Sequence, residues 1–158
     1  YWKDVGTVES LWEANMDLLK PNLLNLYDPA WRIYSRNPVK PPHYASPSSQ
    51  VRRSMLTEGS FICGRVEDSI IFHGASVEAG AVVKGSIVMP DAVIGQGAVV
   101  EYAIIGEGAV VGPGAVVGGG DGAGGIAVVG GGLCVGSGAV VPPAQMVETD
   151  IAAQTQPA

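Results

Sequence analysis

Five times between Val77 and Val141 the chain writes nearly the same six residues. They are Val77-Glu-Ala-Gly-Ala-Val, Ile94-Gly-Gln-Gly-Ala-Val, Ile105-Gly-Glu-Gly-Ala-Val, Val111-Gly-Pro-Gly-Ala-Val and Val135-Gly-Ser-Gly-Ala-Val. So short a period cannot build a mixed globular core, because each unit meets only its neighbours; it specifies a solenoid. The branched opener of each hexad suits an extended strand and a narrow interior. The fifth residue, Ala, is small enough for a crowded corner. The fourth is Gly80, Gly97, Gly108, Gly114 or Gly138, as expected where the chain turns with positive φ. Three hexads then close a triangular coil, and coils stack at roughly 4.8 Å.

These hexads resemble the hexapeptide repeats of left-handed parallel β-helices, an exception to right-handed crossovers. The left hand is what that resemblance implies. Openers at Val83, Ile94, Val100 and Ile105 include five-residue steps, and the pattern before Val77 (Val51, Leu56, Ile62, Val66, Ile71) is looser. Residues 118–125 are nearly all Gly and read as a loop thrown out of the coil. Pro142-Pro143 cannot donate to a ladder, so the solenoid is expected to fade there. Gly120-Asp-Gly122-Ala-Gly-Gly125 matches a dinucleotide-binding string, but without a following helix it reads as surface loop.

The first fifty residues differ. Thr7 caps a helix from Val8 whose apolar stripe is Val8, Leu11, Trp12, Met16 and Leu19, with a stop at Pro21 near Lys20. The stripe reads as packing. Leu23–Tyr27 and Trp31–Arg36 follow, the latter read as an extended element. Pro38, Pro41, Pro42 and Pro47 among serines make a stiff connector. The boundaries expected are 1–36 for this N-terminal piece, 37–50 for the linker, 51–143 for the β-helix and 144–158 for a tail. The tail is expected to cover the last coil and the N-terminal helix the first, since open solenoid ends invite edge pairing.

Charge excludes some partners. The net charge is −6, and every Lys and Arg lies at or before Lys84, so nucleic acid is not expected. Cys63 and Cys134 have no metal-ligand neighbours and fit a reduced, cytoplasmic protein. Residues 122–147 lack charge but carry eight glycines, so they read as repeat rather than as a membrane span. The chain opens on Tyr1 in mid-motif and reads as a piece of a longer protein.

The opening Tyr1-Trp-Lys-Asp-Val-Gly-Thr7-Val-Glu-Ser-Leu-Trp12-Glu-Ala-Asn-Met-Asp-Leu-Leu19 resembles the end of the catalytic domain in the bacterial ADP-glucose pyrophosphorylase (glucose-1-phosphate adenylyltransferase) family. The likeness runs on through Trp31-Arg-Ile-Tyr-Ser, Pro41-Pro42, Gly64-Arg-Val-Glu-Asp-Ser-Ile-Ile-Phe72 and Val82-Val-Lys-Gly-Ser-Ile-Val-Met-Pro90. It implies a mainly β chain: a left-handed β-helix preceded by a helix and linker remnant of an α/β nucleotidyltransferase domain. It further implies an enzyme that joins ATP and glucose 1-phosphate into ADP-glucose and pyrophosphate for glycogen synthesis. The β-helix would serve oligomerisation, as a homo- or hetero-tetramer, and allosteric regulation. Trp2, Asp4, Gly6 and Thr7 fall on the family's Trp-x-Asp-x-Gly-Thr motif, which implies that Asp4 helps hold the catalytic Mg²⁺ with a second Asp upstream. Read from the residues alone, Asp4 is first an acceptor for helix-start amides.

The resemblance places the nucleotide loop, the sugar-binding residues and the other metal Asp upstream of Tyr1, so the fragment as given is expected to be inactive. Arg32, Arg36, Arg52, Arg53 and Arg65 are candidates for anionic effectors, though each also reads as solvated charge. Two rivals remain. One is a non-catalytic regulatory paralogue, against which Asp4 and Ile105-Gly-Glu-Gly weigh. The other is a hexapeptide acyltransferase using His73 as base, with Glu67 and Asp68 the nearby acids. A carbonic anhydrase of this fold needs three His ligands, and one solenoid His does not supply them.

Overall fold

The structure, a computed structural model, describes residues 1–20, 22–36 and 38–154. Helix α1 (Val8–Met16) leads into a 3-10 turn at Asp17–Leu19. Thr7 starts the helix through a reciprocal cap. Its Oγ1 accepts from Ser10 N at 3.1 Å, and Ser10 Oγ accepts from Thr7 N at 3.0 Å, satisfying two amides that the first turn leaves open. The expected stop at Pro21 lies outside the described residues.

Six coils follow, each of three short strands. The first is β1 (Tyr44–Ala45), β2 (Gln50–Arg52) and β3 (Met55–Leu56); the second β4 (Phe61–Ile62), β5 (Arg65–Glu67) and β6 (Ile70–Ile71). Then come β7 (Ser76–Val77), β8 (Val82–Lys84) and β9 (Ile87–Val88), and β10 (Val93–Ile94), β11 (Val99–Glu101) and β12 (Ala103–Ile105). The last two are β13 (Val110–Val111), β14 (Val116–Gly118) and β15 (Ala127–Val129), and β16 (Cys134–Val135), β17 (Val140–Val141) and β18 (Met146–Val147). Every third strand pairs in parallel, giving three six-stranded sheets that form three faces. The first face begins at β1, the second at β2 and the third at β3.

Hexad openers from all three faces stack into interior columns. Ile62, Val77, Ile94, Val111 and Val135 form one; Val66, Val83, Val100, Val117 and Val141 the second; Ile71, Val88, Ile105, Val129 and Val147 the third. These side chains are buried, together with the corner alanines Ala81, Ala98, Ala109, Ala115 and Ala139. Outside the second face, Arg52, Glu67, Lys84 and Glu101 lie opposite one another in turn. This ladder of alternating sign resists a slip between coils.

The hexad glycines expected at positive φ have it, from +64 at Gly108 to +72 at Gly80. The corner from the second face to the third is tighter: one residue in left-handed conformation makes it, Arg53, Asp68, Gly85 and Tyr102 in successive coils. That single-residue corner is the origin of the five-residue steps. Beside it runs a ladder of hydroxyls. Ser54 Oγ accepts from Ser69 N, Ser69 Oγ from Ser86 N and Ser86 Oγ from Ala103 N, each at 3.1 Å. Ser69 and Ser86 are buried, so each hydroxyl serves an amide that would otherwise lack a partner.

Four expectations are corrected. The strands run from Tyr44 to Val147, wider than 51–143, so residues 44–49 belong to the first coil rather than to the linker 37–50. Pro142 and Pro143 do not end the solenoid, because they follow β17, the edge strand of its sheet, where no further coil takes the ladder amides; Gln145 N donates to Pro142 O there and β18 follows. Trp31–Arg36 is not a strand: its side chains are exposed and no described strand pairs with it. Helix α1 covers a side face, not the first coil. Val8, Leu11, Trp12 and Met16 pack on Ile87, Ile104 and Ile126, outside the third face. The tail does meet the last coil, as Ile151 bridges Val135 and Gln154 N donates to Ser137 O at 2.9 Å. The glycine loop leaves after Gly118, the last residue of β14, and returns at β15.

Two substitutions test this packing. Ile94→Ala should lower unfolding stability by about 2–5 kcal/mol, as the column cannot collapse around the hole. Ser86→Ala should cost about 1–3 kcal/mol by orphaning the Ala103 amide. Denaturant midpoints at constant m-value measure both, and Val110→Ala on an outward position should cost less than about 1 kcal/mol.

Candidate functional site

Residues Tyr1–Gly6 carry no helix or strand and run up to the cap of α1. The carboxylate of Asp4 is exposed and makes no hydrogen bond or ion pair to any described residue. It does not take the helix-start amides, which Thr7 and Ser10 serve instead. Gly6 lies alongside, where an added Cβ would stand 3.5 Å from Asp4 Oδ2. Both oxygens of Asp4 are therefore open to a hard cation, which prefers carboxylate ligands. Asp4 offers one ligand and no complete set: among the described residues no group of three or more His, Cys, Asp or Glu side chains converges.

The same N-terminal segment joins a charged cluster that sequence reasoning missed. Asp17, the C-cap of α1, is 5% exposed. Its Oδ2 accepts from the Tyr1 hydroxyl at 2.6 Å and from Lys3 Nζ at 3.3 Å, and its Oδ1 from Lys20 Nζ at 2.6 Å. Lys3 also meets Glu13 Oε2 at 2.9 Å. Hydrogen bonds from Lys20, then Tyr1 and Lys3, hold the Asp17 carboxyl well below the usual carboxylate range. In return, the bond to Asp17 raises the Tyr1 hydroxyl, and Glu13, with Asp17 second, raises Lys3. A signal was available: an acid at a helix C-terminus faces the negative end of the dipole and needs cations to stay.

Helix α1 is locked to the solenoid at the single-residue corner. Trp12 Nε1 donates to Gly85 O at 2.7 Å, and its ring tilts on Tyr102 at 6.2 Å between centroids. Lys84 Nζ stands 5.9 Å over the same Tyr102 ring. A groove of 310 Å³ opens there, lined by Trp12, Met16, Lys20, Arg53, Asp68 and Tyr102.

Arg53 grips Asp68 through two bonds of 2.6 and 2.5 Å, and Arg65 meets Glu67 at 2.8 Å. Arg52, behind Arg65 and Arg53, also helps hold Glu67 and Asp68 below the usual carboxylate range, so three of the five arginines gather about this acid pair, while Arg32 and Arg36 are exposed on the N-terminal piece. His73 is half-buried, and the acids expected to orient it are those that Arg53 and Arg65 already hold. Cys63 and Cys134 are free thiols.

A family model described as GlmU-like, C-terminal hexapeptide, matches residues 42–124. The chain belongs to this hexapeptide family. Beyond the family match, the chain is similar to proteins named glucose-1-phosphate adenylyltransferase. That of Clostridium acetobutylicum is 55% identical over 78 residues, covering 49% of this chain and 20% of the relative. That of Geobacillus stearothermophilus is 56% identical over 81 residues, covering 51% and 21%. That of Bacillus thuringiensis is likewise 56% identical over 81 residues, covering 51% and 22%. The chain thus spans about a fifth of the length of the curated relatives it matches. No described helix of this hexapeptide-family chain is long and apolar enough to cross a membrane.

Because the folded pKa of Asp17 lies below the unfolded value of about 3.9, its charge stabilises the helix anchor above that pH. The stabilisation is lost as pH falls through the folded value. The near-UV dichroism of Trp12, whose companions Trp2 and Trp31 are exposed, should therefore hold down to about pH 4 and decline below it. Asp17→Asn should weaken the signal at neutral pH and remove that acid step.

Proposed function

We propose that this chain is the C-terminal portion of a glucose-1-phosphate adenylyltransferase, which makes ADP-glucose and pyrophosphate from ATP and glucose 1-phosphate. The observation that carries this reading is the run of about half the chain at 55–56% identity to proteins of that name. The site chemistry agrees with it. An open carboxylate at Asp4 suits one ligand of a Mg²⁺ ion that would neutralise charge on transferring phosphates. The remaining ligands, the nucleotide loop and the sugar site belong to the part of the enzyme outside this chain.

In this reading the solenoid is a stiff arm for oligomerisation and regulation. Large apolar side chains crowd the N-terminal piece and the start of the linker: Trp2, Tyr27, Trp31, Ile33, Tyr34 and Val39 are all exposed. A surface of that kind marks a place for protein contact, here the rest of the catalytic domain. The groove between α1 and the corner is where a strain in one part would reach the other.

The test is an assay with saturating ATP, glucose 1-phosphate and Mg²⁺. The chain as given should form no ADP-glucose. The same chain with its upstream reading frame should form it, and Asp4→Asn in that protein should lower the rate at least about a hundredfold, a loss of metal-borne charge stabilisation. Turnover by the short chain, or an unaffected Asp4→Asn, would overturn the reading.

A further inference from the structure

The contacts of the first four residues alternate. Tyr1 and Lys3 end on Asp17, while Trp2 is 85% exposed and Asp4 is exposed with no partner among the described residues. Alternation of this kind is what an extended backbone imposes. Anchoring odd residues therefore decides where the even ones point. The anchor is well made: Asp17 receives donors on both oxygens, is itself buried and is fixed by the end of α1. Helix α1 is in turn fixed to the solenoid through Trp12 and Gly85.

We propose that Asp17 is a positioning residue for Asp4: by holding Tyr1 and Lys3 against the helix, it presents the Asp4 carboxylate, free of partners among the described residues, to the metal ion. The inference rests on the reading of Asp4 as a metal ligand. Asp17 touches neither ion nor substrate; it acts through the backbone of Tyr1–Asp4. Residues that orient a ligand commonly change metal affinity ten- to a hundredfold when removed, and small misplacements of a reacting group cost rates on the same scale. A role confined to stability would instead lower the melting temperature and leave ion affinity alone.

The experiment uses the full-length protein. Mn²⁺ binding is followed by electron paramagnetic resonance without substrates, and the Mg²⁺ dependence of ADP-glucose formation is measured beside it. Asp17→Asn should weaken Mn²⁺ binding about tenfold or more and raise the half-saturating Mg²⁺ similarly, with KM for glucose 1-phosphate within about twofold and native far-UV dichroism. Tyr1→Phe, which removes one bond and keeps the Asp17 charge, should shift both values the same way by less. Unchanged Mn²⁺ affinity in a folded Asp17→Asn overturns the proposal. Should that variant not fold, Tyr1→Phe and Lys3→Met decide on the same readouts, and no shift in either overturns it. Asp4→Asn separates the two claims. If it leaves Mn²⁺ binding intact, the metal-ligand reading falls and this inference with it; if it abolishes binding while Asp17→Asn does not weaken it, only the positioning role falls.

Discussion

Parallel stacking of coil upon coil is the constraint on which everything else here depends. Each strand is too short to be stable alone, and it gains its ladder bonds and its apolar contacts only from the coils above and below. The three interior columns of Val and Ile supply the driving force, since each branched side chain is removed from water by its neighbours in the stack. The corners supply the closure. Glycines at positive φ serve most turns at two of them, and at the third, in the first four coils, a single left-handed residue does the same in less chain.

That third corner is also where the molecule departs from mere repetition. Its left-handed positions are taken by Arg53, Asp68, Gly85 and Tyr102, and the column makes chemical sense coil by coil. Arg53 and Asp68 pair with each other, and Gly85 is the gap over which Tyr102 lies, since an added Cβ would stand 2.9 Å from that ring. The absence of a side chain at Gly85 leaves its carbonyl accessible to Trp12. So a requirement of coil geometry creates the seat for α1, and α1 carries Asp17 and the Asp4 segment. The route from repeat to site is continuous: corner, helix, anchor, carboxylate. Gly122 of the thrown-out loop also packs on Tyr102, and the loop contributes Ile126 to the apolar cluster under the helix.

The solenoid was legible because its rule is local. An opener of type Val or Ile, a Gly and an Ala recurring at short intervals dictate inward side chain, turn and corner without reference to distant residues. The helical stripe and the Thr7 cap were legible for the same reason. The limits of the solenoid were not, since a Pro pair stops a strand only where the ladder needs its amide, and whether it does depends on whether another coil stacks beyond it. The Trp31–Arg36 segment has strand-like residues but pairs with no described strand, and β-structure is a property of pairs. Within the site, Asp4 stood out through its motif, whereas Asp17 did not. Lys20 is its i,i+3 neighbour, but Tyr1 and Lys3 come from the other end of the helix, and no spacing rule joins them to Asp17.

What the amino-acid order settled alone is the repeat: six-residue periodicity, buried column, glycine corner, and with them the family. What needed the folded chain is the placement of everything that is not repeated. Face, corner and helix meet only when the coils are stacked, because Gly85 and Trp12 are far apart in the chain and neighbours in space. The same is true of the carboxylate that holds Tyr1 and Lys3. A periodic pattern encodes contacts with the next turn, while a docked helix and a buried charge depend on contacts that only long-range packing creates.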